Sequence, residues 1–164
     1  MDAATIAVIL SVLVLAFQAR SLAEHARIAN EVAGAETNRE VLSMWASAQR
    51  VFIEYPELRA HYLDESPTPP SALERVRLLA VSEMCADVLQ VAVESADRLA
   101  PFRRYAEPWR DYATQAIESS STLRSVIRDL PTAWPGMMPF VAAYDASQRA
   151  TSLAADHADA PGRS

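Results

Sequence analysis

Lysine is absent from this chain: all fifteen basic residues among its 164 are arginine. Without a lysine amine there is no Schiff base and no phosphate-cradling P-loop. Only three glycines occur, which argues against other glycine-rich phosphate loops and against a turn-rich β fold. A single cysteine, Cys85, cannot close an intramolecular disulfide, so nothing points to an oxidising compartment. No Asn-x-Ser/Thr acceptor is present either. The net charge of −6 disfavours a general nucleic-acid-binding surface.

Catalytic signatures are equally sparse. Neither a Gly-x-Ser-x-Gly elbow nor a Ser-x-x-Lys pair occurs. The histidines are His25, His61 and His157. Glu57 and His61 share a helix face, but a metal site needs at least three converging ligands. No Glu-x-x-His pair of the di-iron bundle type is found. Cys85 falls on an apolar stripe, where a thiol is buried and inert. The expectation is a non-enzyme without metal or cofactor.

What is present begins at the N-terminus. Residues 3–19 hold no charge, nine of the seventeen are large and apolar, and Arg20 closes the run. At ~1.5 Å per residue the run covers about 25 Å, the short end of the membrane-spanning range. Leu22 and Ala23 extend it if Arg20 snorkels. A signal peptide, which needs a basic start and a small-residue cleavage site, and a buried or interfacial helix are the alternatives. Arg20 and Arg27 lie on the C-terminal side and no basic residue on the other. This favours a single-pass anchor with the N-terminus out and the domain in the cytoplasm; the arginine-only, alanine-rich composition suggests a GC-rich bacterial genome and so a bacterial inner membrane. Ala3, Ala7 and Ser11, four apart, would let two such helices approach closely.

The division expected is an anchor at 1–21, an alanine-rich stalk at 22–36, a helical domain at 37–153 and a disordered tail at 154–164. In the domain, Val41, Met44, Trp45, Ala48, Val51, Phe52 and Tyr55 recur at helical spacing. Pro56 ends that helix and suits the first turn of the next. Ser71 and Glu74 form a capping box opening a long helix over 72–99. Its inner stripe is Val81, Met84, Cys85, Val88, Ala92 and Leu99, widened by Leu78, Leu89, Val91 and Val93. Pro108 starts another helix, Ser119–Ser121 interrupts it, and Leu123, Val126, Ile127 and Leu130 continue at helical spacing. A last helix covers 140–153. No stretch alternates with period two, so the fold class is all-α: an N-terminal transmembrane helix continuing into an antiparallel bundle of four or five helices.

Two features offer docking surfaces. Glu83, Asp87, Gln90, Glu94 and Asp97 form one polar stripe, either an acidic face for a basic partner or a metal, or the solvated side of the helix. Trp134 stands in a loop beside Met137, Met138 and Phe140, where exposure would make an apolar patch.

Phe52-Ile53-Glu54-Tyr55-Pro56-Glu57-Leu58-Arg59, followed by Tyr62, resembles a Tyr-Pro-Glu-Leu-Arg block found in a family of small bacterial proteins with one N-terminal membrane helix. In that family a later Trp or Tyr helix leads to a Ser-Pro-x-Leu-Arg block. Trp109 to Ile117 and Leu123-Arg124 occupy the matching order here, with Ser121 where the pattern has proline. The resemblance implies a membrane-anchored helical domain and no assigned activity. No site residue carries over from it; on their local physical reading Tyr55, Pro56, Glu57, Leu58, Arg59, Trp109, Leu123, Arg124 and Trp134 are interaction or structural candidates. Arg59 and Arg124 are either a buried pair holding two helix corners or surface residues. The function expected is a non-catalytic interaction or regulatory module, presenting an acidic helical surface to a protein partner or a second copy. A tethered enzyme and an accessory subunit of a membrane complex are the alternatives.

Overall fold

A computed structural model describes residues 2–66 and 68–158; within its helices, the side chains of residues 3–9 and 156–158 lie outside the description. The described residues hold no strand. They form six α-helices, α1 (Ala3–Glu54), α2 (Pro56–Tyr62), α3 (Ala72–Arg98), α4 (Ala106–Ser119), α5 (Ser121–Asp129) and α6 (Met138–Ala158), with a 3-10 helix (Ala100–Tyr105) before α4. The all-α class is as the patterning predicts, with more helices than four or five.

α1 runs unbroken for 52 residues because no proline falls inside it. Pro56 then occupies the first turn of α2, where its missing N–H costs nothing. The capping box is formed: Ser71 accepts from the Glu74 amide, and the Glu74 carboxylate accepts from the Ser71 amide at 2.7 Å. The polar Ser119–Ser121 run becomes a break with a cap, since the Ser120 hydroxyl accepts from Leu123 N–H. Asp64, at φ 56 in the turn after α2, adds a second cap; its carboxylate accepts from the Ser121 amide and hydroxyl.

α3 is the central helix, touching α1, α2, α4, α5 and the 3-10 helix. Leu78, Val81, Cys85, Val88, Leu89, Ala92 and Val93 are buried along it. Val41, Ala48 and Phe52 of α1 close one side, and Leu58, Trp109, Ile117, Leu123 and Ile127 the others. Burying each large apolar side chain contributes roughly 1.5–3 kcal/mol. Three members assigned to the inner stripe of α3, namely Met84, Val91 and Leu99, are instead exposed, as is Leu130 after α5. Met84 and Val91 lie at the edge of the α3 stripe, whereas Leu99 and Leu130 are the non-helical C-cap residues of α3 and α5, whose backbone turns them off the stripe.

Other boundaries also shift. The stalk does not extend to residue 36: Gly34 is already buried, packed on the backbone of Pro101. The turn of 3-10 helix starts the fourth segment at Ala100, ahead of Pro108. The tail expected from 154 is helical through Ala158, and residues 159–164 lie outside the described residues. Trp134 is buried, not exposed in a patch: its indole N–H donates to Asp87 at 2.8 Å.

Among the described residues no helix is long and apolar enough to cross a membrane. The side chains of residues 3–9, part of the run read as an anchor, lie outside the described set, and with them Ala3 and Ala7 of the small-residue stripe. The run's described part, residues 10–19, is exposed throughout. Leu10, Val12, Leu13, Val14, Leu15 and Phe17 are all exposed by more than half their surface.

Candidate aromatic groove and cleft

Position 45 of α1 and position 112 of α4 come together at the domain's surface. The Trp45 and Tyr112 rings meet edge to face, with centroids 5.0 Å apart and planes at 83°. Such a pair contributes ~0.5–1.5 kcal/mol beyond its buried area. Trp109 joins it, also edge-on to Tyr112 at 6.1 Å. The indole N–H of Trp109 donates to the Asn38 side-chain oxygen at 3.0 Å, which ties α4 to α1. The pair divides two hollows.

On one side lies an open groove of about 340 Å³, lined by Leu42, Trp45, Tyr105, Pro108, Trp109 and Tyr112, with Asn38 its polar member. On the other, a cleft of about 610 Å³ lies between α1, α2 and α4. Trp45, Phe52 and Tyr62 form its apolar walls, and Gln49, Arg59, Glu65 and Gln115 bring polar groups to it. Both volumes fall in the range of small-ligand sites.

The titratable groups beneath the cleft are held protonated. Burial pushes the Cys85 thiol up to about 12, so it is no nucleophile near neutral pH. Burial raises the Tyr62 phenol as well, with the Cys85 thiol and Tyr112 hydroxyl as lesser influences. Tyr112 is raised by burial and by Cys85, and the Arg59 guanidinium opposes that rise. The buried Tyr62 hydroxyl has no hydrogen-bond partner. Ser119, at the cleft's edge, spends its hydroxyl on the Gln115 carbonyl at 2.8 Å. Among the described residues, no group of three His, Cys, Asp or Glu side chains could hold a metal ion.

The sequence candidates divide by position. Leu58 and Leu123 are completely buried, and Tyr55 is half-buried with the Arg77 guanidinium 4.2 Å from its ring centre. Pro56, Glu57 and Arg59 are exposed. The two arginines are therefore not a buried pair. Arg124 alone is buried: it donates to the Ile117 and Glu118 carbonyls, lies 3.8 Å from Asp64, and stacks 4.2 Å over Tyr144. It closes the C-terminal end of α4, where carbonyls lack helical partners. Trp109 is the candidate that reaches the groove.

The acidic stripe on α3 is largely occupied. Asp87 holds Trp134, Gln90 is buried and accepts from the Gly136 amide, Glu94 pairs with Arg98, and Asp97 with Arg110. Only Glu83 stays exposed without such a contact. Trp45, Tyr112 and Gln115, which build the paired hollows, were read as core or left aside; their helical spacing alone does not distinguish a half-covered position from a buried one.

Compared with known families, curated proteins and solved structures, this chain matches none.

Proposed function

We propose that this protein is a membrane-anchored, non-catalytic binding module whose groove on α1 and α4 takes an apolar segment of a protein partner. The observation that carries this reading is the groove itself. Two tryptophans and two tyrosines line an open hollow with one amide as its polar member. Aromatic residues in such positions dominate the energetics of protein interfaces. The Asp87, Glu94 and Asp97 contacts turn the docking surface away from the acidic stripe and toward this groove.

Anchoring is supported by the exposed apolar side chains over residues 10–17, which water solvates poorly. The arginines that follow favour a cytoplasmic domain, and the arginine-only, alanine-rich composition a bacterial inner membrane. The resemblance through Tyr55 to Arg59 carries the same architecture and no activity. An accessory-subunit or homo-oligomer role has its own support. Ile28, Val32, Leu42 and Ile53 recur on the face of α1 opposite Val41 and Ala48, and all four are exposed.

A photo-crosslinking amino acid at Leu42, in native membranes, tests the groove. The reading expects one discrete adduct there and none at exposed Ser125. Equal or absent adducts at both positions overturn it. Alkaline carbonate extraction tests the anchor: the chain stays in the membrane pellet, and release into the supernatant refutes anchoring. A C-terminal reporter active only in the cytoplasm checks direction.

A further inference from the structure

We propose that the cleft between α1, α2 and α4 binds a small zwitterion carried on a flat apolar body, of the aromatic amino-acid class. Arg59 and Glu65 are the only charged side chains lining it. Both are exposed, and neither forms an ion pair with the other or with any described residue. A cleft with one unspent cation and one unspent anion suits a ligand bearing both charges. A simple carboxylate would leave Glu65 facing an anion, and a simple amine would leave Arg59 facing a cation. Guanidinium and carboxylate geometries match in a two-point contact.

The remaining lining fits the rest of such a molecule. Half-buried Trp45 and Tyr112 present aromatic surface, and the buried Phe52 and Tyr62, with ring centres 5.1 Å apart, complete the apolar lining. An aromatic body packs against them, and an ammonium gains from their faces. Gln49 and Gln115 reach the cleft with side-chain amides that bond no described residue. A volume of about 610 Å³ holds a molecule of this size with some water.

The inference does not rest on the groove reading. The Leu42 crosslink reports the groove, and ligand titration reports the cleft across the Trp45–Tyr112 pair.

The test uses the full chain in detergent micelles. L-phenylalanine is titrated by calorimetry and by ligand-observed NMR against 3-phenylpropionate, which lacks the ammonium, and phenethylamine, which lacks the carboxylate. L-phenylalanine is expected to bind about tenfold tighter than either analogue, the loss of one charged hydrogen-bonding contact. Arg59→Gln and Glu65→Gln each weaken L-phenylalanine about tenfold. Arg59→Gln leaves phenethylamine unchanged, and Glu65→Gln leaves 3-phenylpropionate no weaker. Both positions are exposed, so unchanged circular dichroism melts certify the fold. No L-phenylalanine binding at millimolar concentration overturns the proposal. Equal affinity in either variant, or for all three probes, overturns it as well.

Discussion

Replacing Gly34 by alanine separates two opposed expectations for one substitution. Mid-helix, alanine in place of glycine stabilises by about 1 kcal/mol. At this position the new Cβ would lie 2.1 Å from the Pro101 carbonyl oxygen and 2.7 Å from its carbon. Ordinary contacts begin near 3.5 Å, so α1 and the 3-10 helix must part by about 1.4 Å. The obstacle is backbone and cannot rotate away. Overpacking costs about 1–3 kcal/mol, and a backbone obstacle belongs at the upper end. Subtracting the helical gain leaves a net loss of about 2 kcal/mol, or about 4–8 °C in Tm for a domain of this size. Thermal unfolding of the full chain in micelles, followed by circular dichroism, reads it directly. The exposed neighbour Ala33 supplies the control: Ala33→Gly loses about 1 kcal/mol through propensity alone. A Gly34→Ala protein that melts at or above the wild-type temperature would refute the close crossing of α1 over Pro101.

Arg124→Ala removes the two carbonyl contacts at the end of α4 and the stacking on Tyr144, and should lower stability by about 3 kcal/mol in urea unfolding. The exposed Arg59→Ala should shift it by less than about 0.5 kcal/mol, and comparable losses at both sites would contradict the assignment of Arg124 as the sole buried corner. Trp134→Phe deletes the indole donation to Asp87, an expected loss of about 1 kcal/mol with the helix content retained. Because burial raises the Cys85 thiol from 9.0 to about 12, the folded chain keeps this proton where the unfolded chain loses it. Its contribution is complete below pH 9 and disappears as pH rises toward about 12; Cys85→Ala should flatten the decline in urea midpoint across that window, and an unchanged slope would remove Cys85 as a cause.

The elements most legible from sequence are those set by neighbours in the chain. Pro56, the Ser71–Glu74 box and the Ser119–Ser121 break each act over a few residues, and the structure places all three as the spacing predicts. Helix periodicity likewise marks Val41, Ala48 and Phe52 as core. Contacts between distant residues were not legible. Nothing local to Trp134 reveals that Asp87, 47 positions earlier, accepts its N–H. Gln90 looks like a solvated side chain until the Gly136 amide is brought to it. Periodicity also gives the direction of a side chain, not how far a neighbouring helix reaches over it. That is why Met84 and Val91 were placed inside and the hollows flanking Trp45 were not foreseen.

The length of α1 sets a distance. Arg20 and Trp45 belong to one uninterrupted helix, twenty-five residues apart, so ~38 Å of rod separates the end of the apolar run from the aromatic pair. Helices without proline, glycine pairs or bulges bend gently, and the tight seat of Gly34 on Pro101 pins the rod to the domain partway along. The two hollows therefore stand at a set height above whatever holds the apolar run. If the apolar run is anchored as proposed, a tethered partner would reach them only with a linker that spans that gap, and α1 would act as a ruler that sorts partners by reach.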